Sequence, residues 1–475
     1  MKNRIATLVT AATLLGGCAV GPDYQRPELA VGDTFHTTVS LQQAQSIADI
    51  AWLEFFNDPQ LTELLRTALA NNLDLQATLA RLDEAQARLR VARSAYGPSI
   101  NGQIANSATP GSKGNDATFT GGLVVGWELD IFGKLRRQSE AARAALLASE
   151  EGARAVMASL VTGVAASWYQ LRELDEEVRV IKRNIATQER SLELVRSLQG
   201  SGVASEAEEQ QSIAQLAATR AQLPPAEQLV VMVENSLSVL IGQIPQAMKQ
   251  RPPLADQTEP DSTTLAVGLP TELLERRPDV RQAEHSLHAA TAQIGVAMAN
   301  RFPFPTIGLS GIFGRFSTDV DDLFSSSDSV NLNAWGPTVN LQILDFGAAK
   351  GSVDIARAQT RQALAGYRST VLYALEEVSN SLYRYESAGH IIEQNRIYAT
   401  AANESLRLQR LRFKSGVVSY LQVLDSERQV LSAELSLARA LVARPLAYID
   451  IYRAVGGGWS DEEIQKLREA AAEKE

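Results

Sequence analysis

Two stretches of about 65 residues without a proline, Lys134 to about Gly200 and Ala348 to about Ser415, constrain this chain more than anything else in it. Both are rich in Ala, Leu, Glu, Arg and Gln, which lose least on entering a helix. At 1.5 Å per residue each would reach about 100 Å. That exceeds any globular helix, so the pattern predicts coiled-coil-like rods. The stretches are also copies of one another. Gly202-Val203-Ala204-Ser205 recurs as Gly416-Val417-Val418-Ser419, 214 positions on, and Phe132 and Phe346 stand at the same separation. Pro98-Ser99-Ile100 matches Pro305-Thr306-Ile307 at 207, so the second half carries about seven extra residues between these landmarks. Each half then has one plan: helix, two strands, long helix, turn, returning helix.

Between the helices the apolar period changes from 3.6 to 2. Phe119, Leu123, Val125, Trp127, Leu129 and Ile131 alternate with small or polar residues, as do Ile307, Leu309 and Phe313, and then Trp335, Val339, Leu341 and Ile343. Such segments suit transmembrane β-strands of about 9–11 residues, or a half-buried sheet in a soluble domain. The connections from Ser107 to Thr118 and from Arg315 to Asn331 are polar and rich in Gly, Ser and Asp, and read as extracellular loops. Two hairpins supply four strands, and a membrane barrel needs about eight or more. If these strands are transmembrane, the chain must oligomerise, and cyclic symmetry is the natural closure. The number of copies does not follow from the spacing.

The helices carry their own signals. Leu75, Leu79, Leu82 and Leu89 form a heptad-like seam with Ala85, Ala92 and Ala95 beside it. Gly202 and Gly416 suit the left-handed positions that end a helix. Pro224-Pro225 is expected to stop the first returning helix and Pro445 the second.

The N-terminus begins with Lys2 and Arg4, an apolar run from Ile5 to Leu15, and Leu15-Gly16-Gly17-Cys18. This is the layout of a secretory signal peptide, with the chain's single cysteine where cleavage should fall. It resembles a bacterial lipobox, in which Cys18 becomes the acylated first residue of the mature chain. Ala19 after it resembles lipoproteins destined for the outer membrane. An ordinary signal peptide with an incidental cysteine is the alternative. One cysteine excludes an intrachain disulfide, and a net charge of −10 without a basic block argues against nucleic-acid partners.

Taken together, these segments resemble the TolC-like outer-membrane efflux proteins, specifically the NodT-type lipoprotein branch. The resemblance rests on Cys18-Ala19-Val20-Gly21-Pro22-Asp23-Tyr24-Gln25-Arg26-Pro27, on Trp52 to Asn72, and on Trp127-Glu128-Leu129-Asp130-Ile131-Phe132-Gly133. It rests also on Leu269-Pro270 through Arg277-Pro278-Asp279-Val280 to Ile294-Gly295-Val296-Ala297. It implies a mixed α and β membrane protein: a homotrimer whose 12-stranded transmembrane β-barrel, four strands per chain, continues into a periplasmic α-helical barrel with an equatorial domain. The function implied is the exit duct of a tripartite pump, docked to a periplasmic membrane-fusion (adaptor) protein and an inner-membrane transporter of the resistance-nodulation-division (RND) class. The outer membrane holds it partly through acylated Cys18. On that plan residues 1–17 are the signal peptide and 18–60 the anchored segment and belt. Residues 61–97 and 271–304 are helices, 98–131 and 305–346 hairpins, 132–223 and 347–444 the long and return helices. Residues 224–270 form a linker and belt, and 445–475 a belt and tail.

The resemblance also assigns sites. Leu421, Asp425 and Arg428 fall on the family's constriction positions, and their i, i+4, i+7 spacing shares one helix face. A ring of Asp425 carboxylates would favour cations; a solvated Asp425–Arg428 pair is the other reading. Gln422 stands where some relatives carry a second carboxylate. Gly202, Val203, Gly416 and Val417 are the expected adaptor-contact tips. The acidic Ser205-Glu206-Ala207-Glu208-Glu209 suits either an adaptor contact or a helix start. His285-x-x-His288 lacks a third metal ligand at useful spacing, and the Glu pairs at 150–151, 176–177 and 376–377 have no pocket converging on them. No motif calls for a cofactor, a metal or enzymatic chemistry. The competing readings are a type I secretion duct and a structural periplasmic coiled-coil lipoprotein, which would not need the strand pairs.

Overall fold

The computed structural model describes residues 19–28, 52–56, 58–108, 117–248, 251–254, 275–301, 303–324 and 329–472. In chain order the elements are α1 (Trp52–Phe55), α2 (Pro59–Asn71), α3 (Leu73–Ser94), β1 (Ser99–Ala108), β2 (Ala117–Leu129), α4 (Lys134–Gly200), α5 (Glu206–Arg220) and α6 (Leu223–Leu240). There follow α7 (Pro278–Ala299), β3 (Thr306–Ser317), a short 3-10 turn (Asp321–Leu323), β4 (Val330–Asn340), α8 (Ala348–Lys414), α9 (Tyr420–Ala454) and α10 (Asp461–Ala472). The two long rods are each 67 residues. Among the described residues no helix is long and apolar enough to cross a membrane.

The chain divides into two units. The first holds the sheet, the adjoining helix ends and the N-terminal segment. Its four strands are antiparallel in the order β1-β2-β3-β4, so the two hairpins join through β2 and β3. Two strand ends differ from expectation. Ile131 lies beyond β2, because Asp130 turns the chain into α4: its carboxylate accepts from the N–H groups of Leu135 and Arg136, both at 2.9 Å. Leu341 and Ile343 lie beyond β4. Their partner strand begins at Thr306, paired with Asn340, and is preceded by Pro303 and Pro305. Pro305 has no N–H to continue a ladder.

The second unit is helical. Its main core gathers Leu61 and Leu65 of α2, Met157, Val161 and Trp168 of α4, Leu237 of α6, and Ile449 and Ile451 of α9. Trp168 donates its indole N–H to Asp58, whose carboxylate also caps α2. Phe55 stacks on Tyr448 and Tyr452, and Tyr452 is pushed up to about 12 by burial. The Arg277-Pro278-Asp279 motif acquires a role here. Arg277 is buried, bonds Glu377 and Asp279, and donates at 2.9 Å to the carbonyl of Ala454, which closes α9.

The heptad seam of α3 is buried as expected at Leu75, Leu79, Leu82, Leu89 and Ala92. Pro224 and Pro225 open α6 after α5 has ended at Arg220, so the helix occupies the start of the expected linker. Pro445 does not stop the second returning helix; α9 runs through it to Ala454. A proline inside a helix loses one i→i−4 bond and costs about 3 kcal/mol. Here Val442, Ala447, Ile449 and Ile451 are buried on both sides of it, and that packing offsets the loss. The tail, expected as a belt segment, forms α10, whose Glu463 accepts from the Trp52 indole. Residues 255–274 of the linker lie outside the described residues.

Candidate functional site

The sheet is two-faced. Strand side chains alternate, and the register puts Ile100, Ile104, Leu123, Val125, Trp127, Leu309, Phe313, Trp335 and Val339 on one face. Ile104 is 66% exposed and Trp335 75%, an arrangement water would not favour on this scale. The opposite face is mainly small and polar, with Ser99, Asn101, Gln103, Thr120, Glu128, Thr306, Ser310, Thr338 and Asn340; it also holds the paired Val124 and Ile312 in mid-strand and Phe316, Val330 and Leu332 toward the β3–β4 connection. That face is concave between β2 and β3: a methyl added at Gly122 would lie 2.7 Å from Gly314 Cα, and one at Gly308 2.7 Å from the Trp127 carbonyl. Strands of 10 to 13 residues are long enough to span the hydrocarbon core of an outer membrane at the tilt usual in membrane barrels. The sheet therefore offers an apolar convex face to lipid and a polar concave face to water. Among the described residues both its edges, β1 and β4, are unpaired.

At the far ends of the rods the two turns have the same geometry. Gly202 (φ 72°) and Gly416 (φ 69°) take the left-handed conformation. The Val203 N–H bonds the Leu198 carbonyl at 2.8 Å, and the Val417 N–H the Arg412 carbonyl at 2.9 Å, with the glycine N–H groups closing onto Gln199 and Phe413. These are Schellman closures. They leave Val203 and Val417 projecting, 73% and 64% exposed. Ser205 and Glu208 form a capping box that starts α5, and Glu209 pairs with Arg196. Two acids of this turn are thus engaged within the chain.

Leu421, Asp425 and Arg428 occupy one exposed stripe of α9, with Arg428 bonded to Asp425 at 3.0 Å and Gln429 donating to the other carboxylate oxygen. The opposite side of α9 is buried and holds a polar pattern that sequence reading missed. Glu427, 1% exposed, accepts from Ser191 of α4 and Arg410 of α8, both at 2.8 Å. Seven residues along each helix the arrangement repeats: Glu434 accepts from Asn184 at 2.9 Å and Asn403 at 3.3 Å. Tyr420, a further seven residues toward the turn, is buried and meets Ser212 of α5 at 3.2 Å. Burial raises the Tyr420 phenol and the nearby Glu427 carboxylate adds to it, with Ser212 opposing. The heptad spacing shared by 184/191, 403/410 and 427/434 was the available signal. Glu427 is buried, Glu434 is half-buried and Asn403 exposed; a polar group at a buried heptad position, here Glu427, fixes helix register.

Cys18 lies outside the described residues. The segment after it is clipped to the first unit: the Val20 N–H bonds the Phe132 carbonyl, and Arg137 reaches the carbonyl of Gly21 and the carboxylate of Asp23. His288 stacks on Tyr24 at 4.5 Å and shares a hydrogen bond with Glu140 at 2.9 Å. Burial works against ionising Glu140, but its bonds to His288 and Arg137 hold it below the usual carboxylate range. The second glutamate of each pair is committed to a cation, Glu151 to Arg281, Glu177 to Arg439 and Glu377 to Arg277 and Arg453.

Comparison with known proteins agrees with this geometry. The family described as outer membrane efflux protein matches residues 64–243 and 269–457. The probable efflux pump outer membrane protein TtgC of Pseudomonas putida is 32% identical over all of this chain and 99% of its own. The probable outer membrane lipoprotein SilC of Salmonella typhimurium is 30% identical over 96% of this chain and 99% of its own. Among solved structures, the outer-membrane channel OprN superposes with a TM-score of 0.83 at 31% identity, covering 93% of this chain and all of that one.

Proposed function

The chain belongs to the outer membrane efflux protein family, and we propose that three copies close its sheet into a twelve-stranded barrel and conduct solute through the helical part to a constriction at the tip turns. It is an outer-membrane exit duct for efflux and not an enzyme. Transport through such a duct is passive, and selection of substrate belongs to the pump that feeds it. The observation that carries this reading is the sheet: apolar and exposed on the convex side, polar on the concave side, and open at both edges. A periplasmic tether has no use for such a surface.

The partners follow as proposals. Relatives named as efflux pump outer membrane proteins support an adaptor and an inner-membrane RND transporter as the working assembly. Val203 and Val417, held outward by Gly202 and Gly416, are the apolar points an adaptor would grip. Leu421, Asp425 and Arg428 form the constriction, and their shared exposed stripe supports this. Acylation of Cys18 is supported by the likeness to a named lipoprotein and by the clipped segment that follows it.

The test is single-channel conductance in planar bilayers, wild type beside the double variant Asp425→Ala/Arg428→Ala. A small resting conductance that rises several-fold in the variant is expected. Conductance unchanged by the variant would remove these residues from the gate and keep the duct. Barrel-containing trimers without conductance in either form would overturn the duct itself.

A further inference from the structure

We propose that β4 of one copy pairs with β1 of the next in the register that sets Val339 against Ile104, Leu341 against Gly102 and Ile343 against Ile100 of the neighbouring copy. The inference rests on the closed-ring reading above and specifies the surface that closes it. The partner is a second copy of this chain.

The internal duplication extends to hydrogen-bonding register. The first strands of the two hairpins, β1 and β3, correspond at the 207-residue offset of Pro98 and Pro305, and the second strands, β2 and β4, at the 214-residue offset of Phe132 and Phe346. Applied to the first hairpin, these offsets reproduce the second. Ser99↔Gly126 becomes Thr306↔Asn340, and Ile104↔Gly121 becomes Gly311↔Trp335, and both pairs are present. The hairpins are therefore duplicates in register as well as in sequence.

The chain also contains one seam between hairpins, where β2 meets β3. In a ring every other hairpin-to-hairpin seam is β4 against the neighbouring β1, which is the same junction in duplicated form. Moving the β2–β3 pairs by the same offsets gives the missing register. Val125↔Gly311 becomes Val339↔Ile104, Gly126↔Ser310 becomes Asn340↔Gln103, Trp127↔Leu309 becomes Leu341↔Gly102, and Leu129↔Ile307 becomes Ile343↔Ile100.

Two independent features of the lone chain agree. Leu341 and Ile343 continue the alternation of β4 but have no strand partner among the described residues. The register supplies partners for both, because β1 still has ladder residues at Ile100 and Gly102 where β3 has already reached Pro305. It also sets apolar residues of the convex face beside one another: Val339 and Ile104 are each exposed in the lone chain, as are Ile343 and Ile100. A one-residue slip would turn one strand's apolar set to the polar side.

Cysteine cross-linking of the full-length protein in isolated outer membranes tests this. Val339→Cys/Ile104→Cys and Asn340→Cys/Gln103→Cys, one pair from each face, are oxidised with copper–phenanthroline. The single variants report background from Cys18. Directly opposed positions bring Cβ atoms within about 5 Å, against about 7–8 Å for a two-residue slip, and a disulfide needs about 4 Å. Chains linked into trimers on non-reducing gels are expected, at roughly tenfold the yield of the slipped pair Val339→Cys/Gly102→Cys. A slipped pair linking as well or better overturns the register while the closed ring stands. Intact trimers on native gels with no linkage in any pair overturn the β4–β1 contact. Barrel protein that is monomeric on native gels overturns both the register and the ring on which it rests.

Discussion

Gln103 and Ile104 are neighbours in the middle of β1, and their side chains point to opposite faces of the sheet. Arginine at either position asks which face meets lipid. Near the bilayer midplane, arginine on the lipid face of a barrel costs about 2–4 kcal/mol. Losing the isoleucine adds about 1 kcal/mol of apolar contact. A ring of three copies would then be destabilised by roughly 10 kcal/mol. If the convex face met water instead, Ile104→Arg would replace an exposed apolar side chain and change stability by no more than about 0.5 kcal/mol. Gln103→Arg adds a charge to the aqueous concave side and should fall in that small range. The assay is the fraction of membrane-inserted chains that migrate as SDS-resistant, heat-sensitive trimers across a urea series. At the urea concentration where half the wild type survives, Ile104→Arg should leave essentially none and Gln103→Arg about the wild-type fraction. Equal tolerance of the two, or greater damage from Gln103→Arg, would refute the assignment of faces.

Three further outcomes are expected. Glu427→Ala, which strands Arg410 and Ser191 at a nearly buried site, should cost about 2–4 kcal/mol per chain, and Glu427→Gln only about 1 kcal/mol; apparent melting at fixed scan rate checks the order, and equal losses would argue against the charged contact. Gly202→Ala and Gly416→Ala meet open space but must hold a positive φ, at a cost of about 1–2 kcal/mol each, and asparagine at either position should cost less in the same melting assay. Burial, reinforced by Glu177 and opposed by Arg439, pushes Glu173 up to about 7 from 4.5. The folded state therefore keeps a proton that the unfolded chain has lost between these values, and stability falls as pH rises across that window. Glu173→Gln should match wild type at pH 4 and exceed it at pH 8 by about 1–2 kcal/mol, since water still reaches the side chain; a pH-independent difference would sink the assignment.

The sequence carried the rods, the turns and the strand faces plainly, because each is a local pattern. Proline-free runs, a glycine followed by valine, and a period of two can be read without knowing any neighbour. The misread elements all depend on something distant. The end of β4 is set by the prolines before β3, not by Leu341 or Ile343 themselves. Ile131 continues an alternation that Asp130 has already ended by capping α4. Pro445 reads as a stop, and only burial of both flanks keeps α9 going. Glu427 and Glu434 look like surface charges until α4 and α8 bring Ser191, Arg410, Asn184 and Asn403 against them. At the candidate constriction the common face of Leu421, Asp425 and Arg428 was legible from helical spacing, whereas the polar layers behind it were not. Arg277 stood out as part of a motif, but its role waited for the end of α9 to return to it.

The unpaired edges of the sheet also have a genetic consequence. In hydrocarbon each unmatched backbone group costs several kcal/mol, so a lone chain has no inserted state in which to wait for partners. Insertion and assembly are then a single many-chain event, and a chain with one damaged edge spoils every ring it joins. For a ring of three, a cell making sound and damaged chains equally keeps only about one ring in eight intact. Lesions in β1 or β4 should behave as dominant alleles, while lesions that prevent export should be recessive.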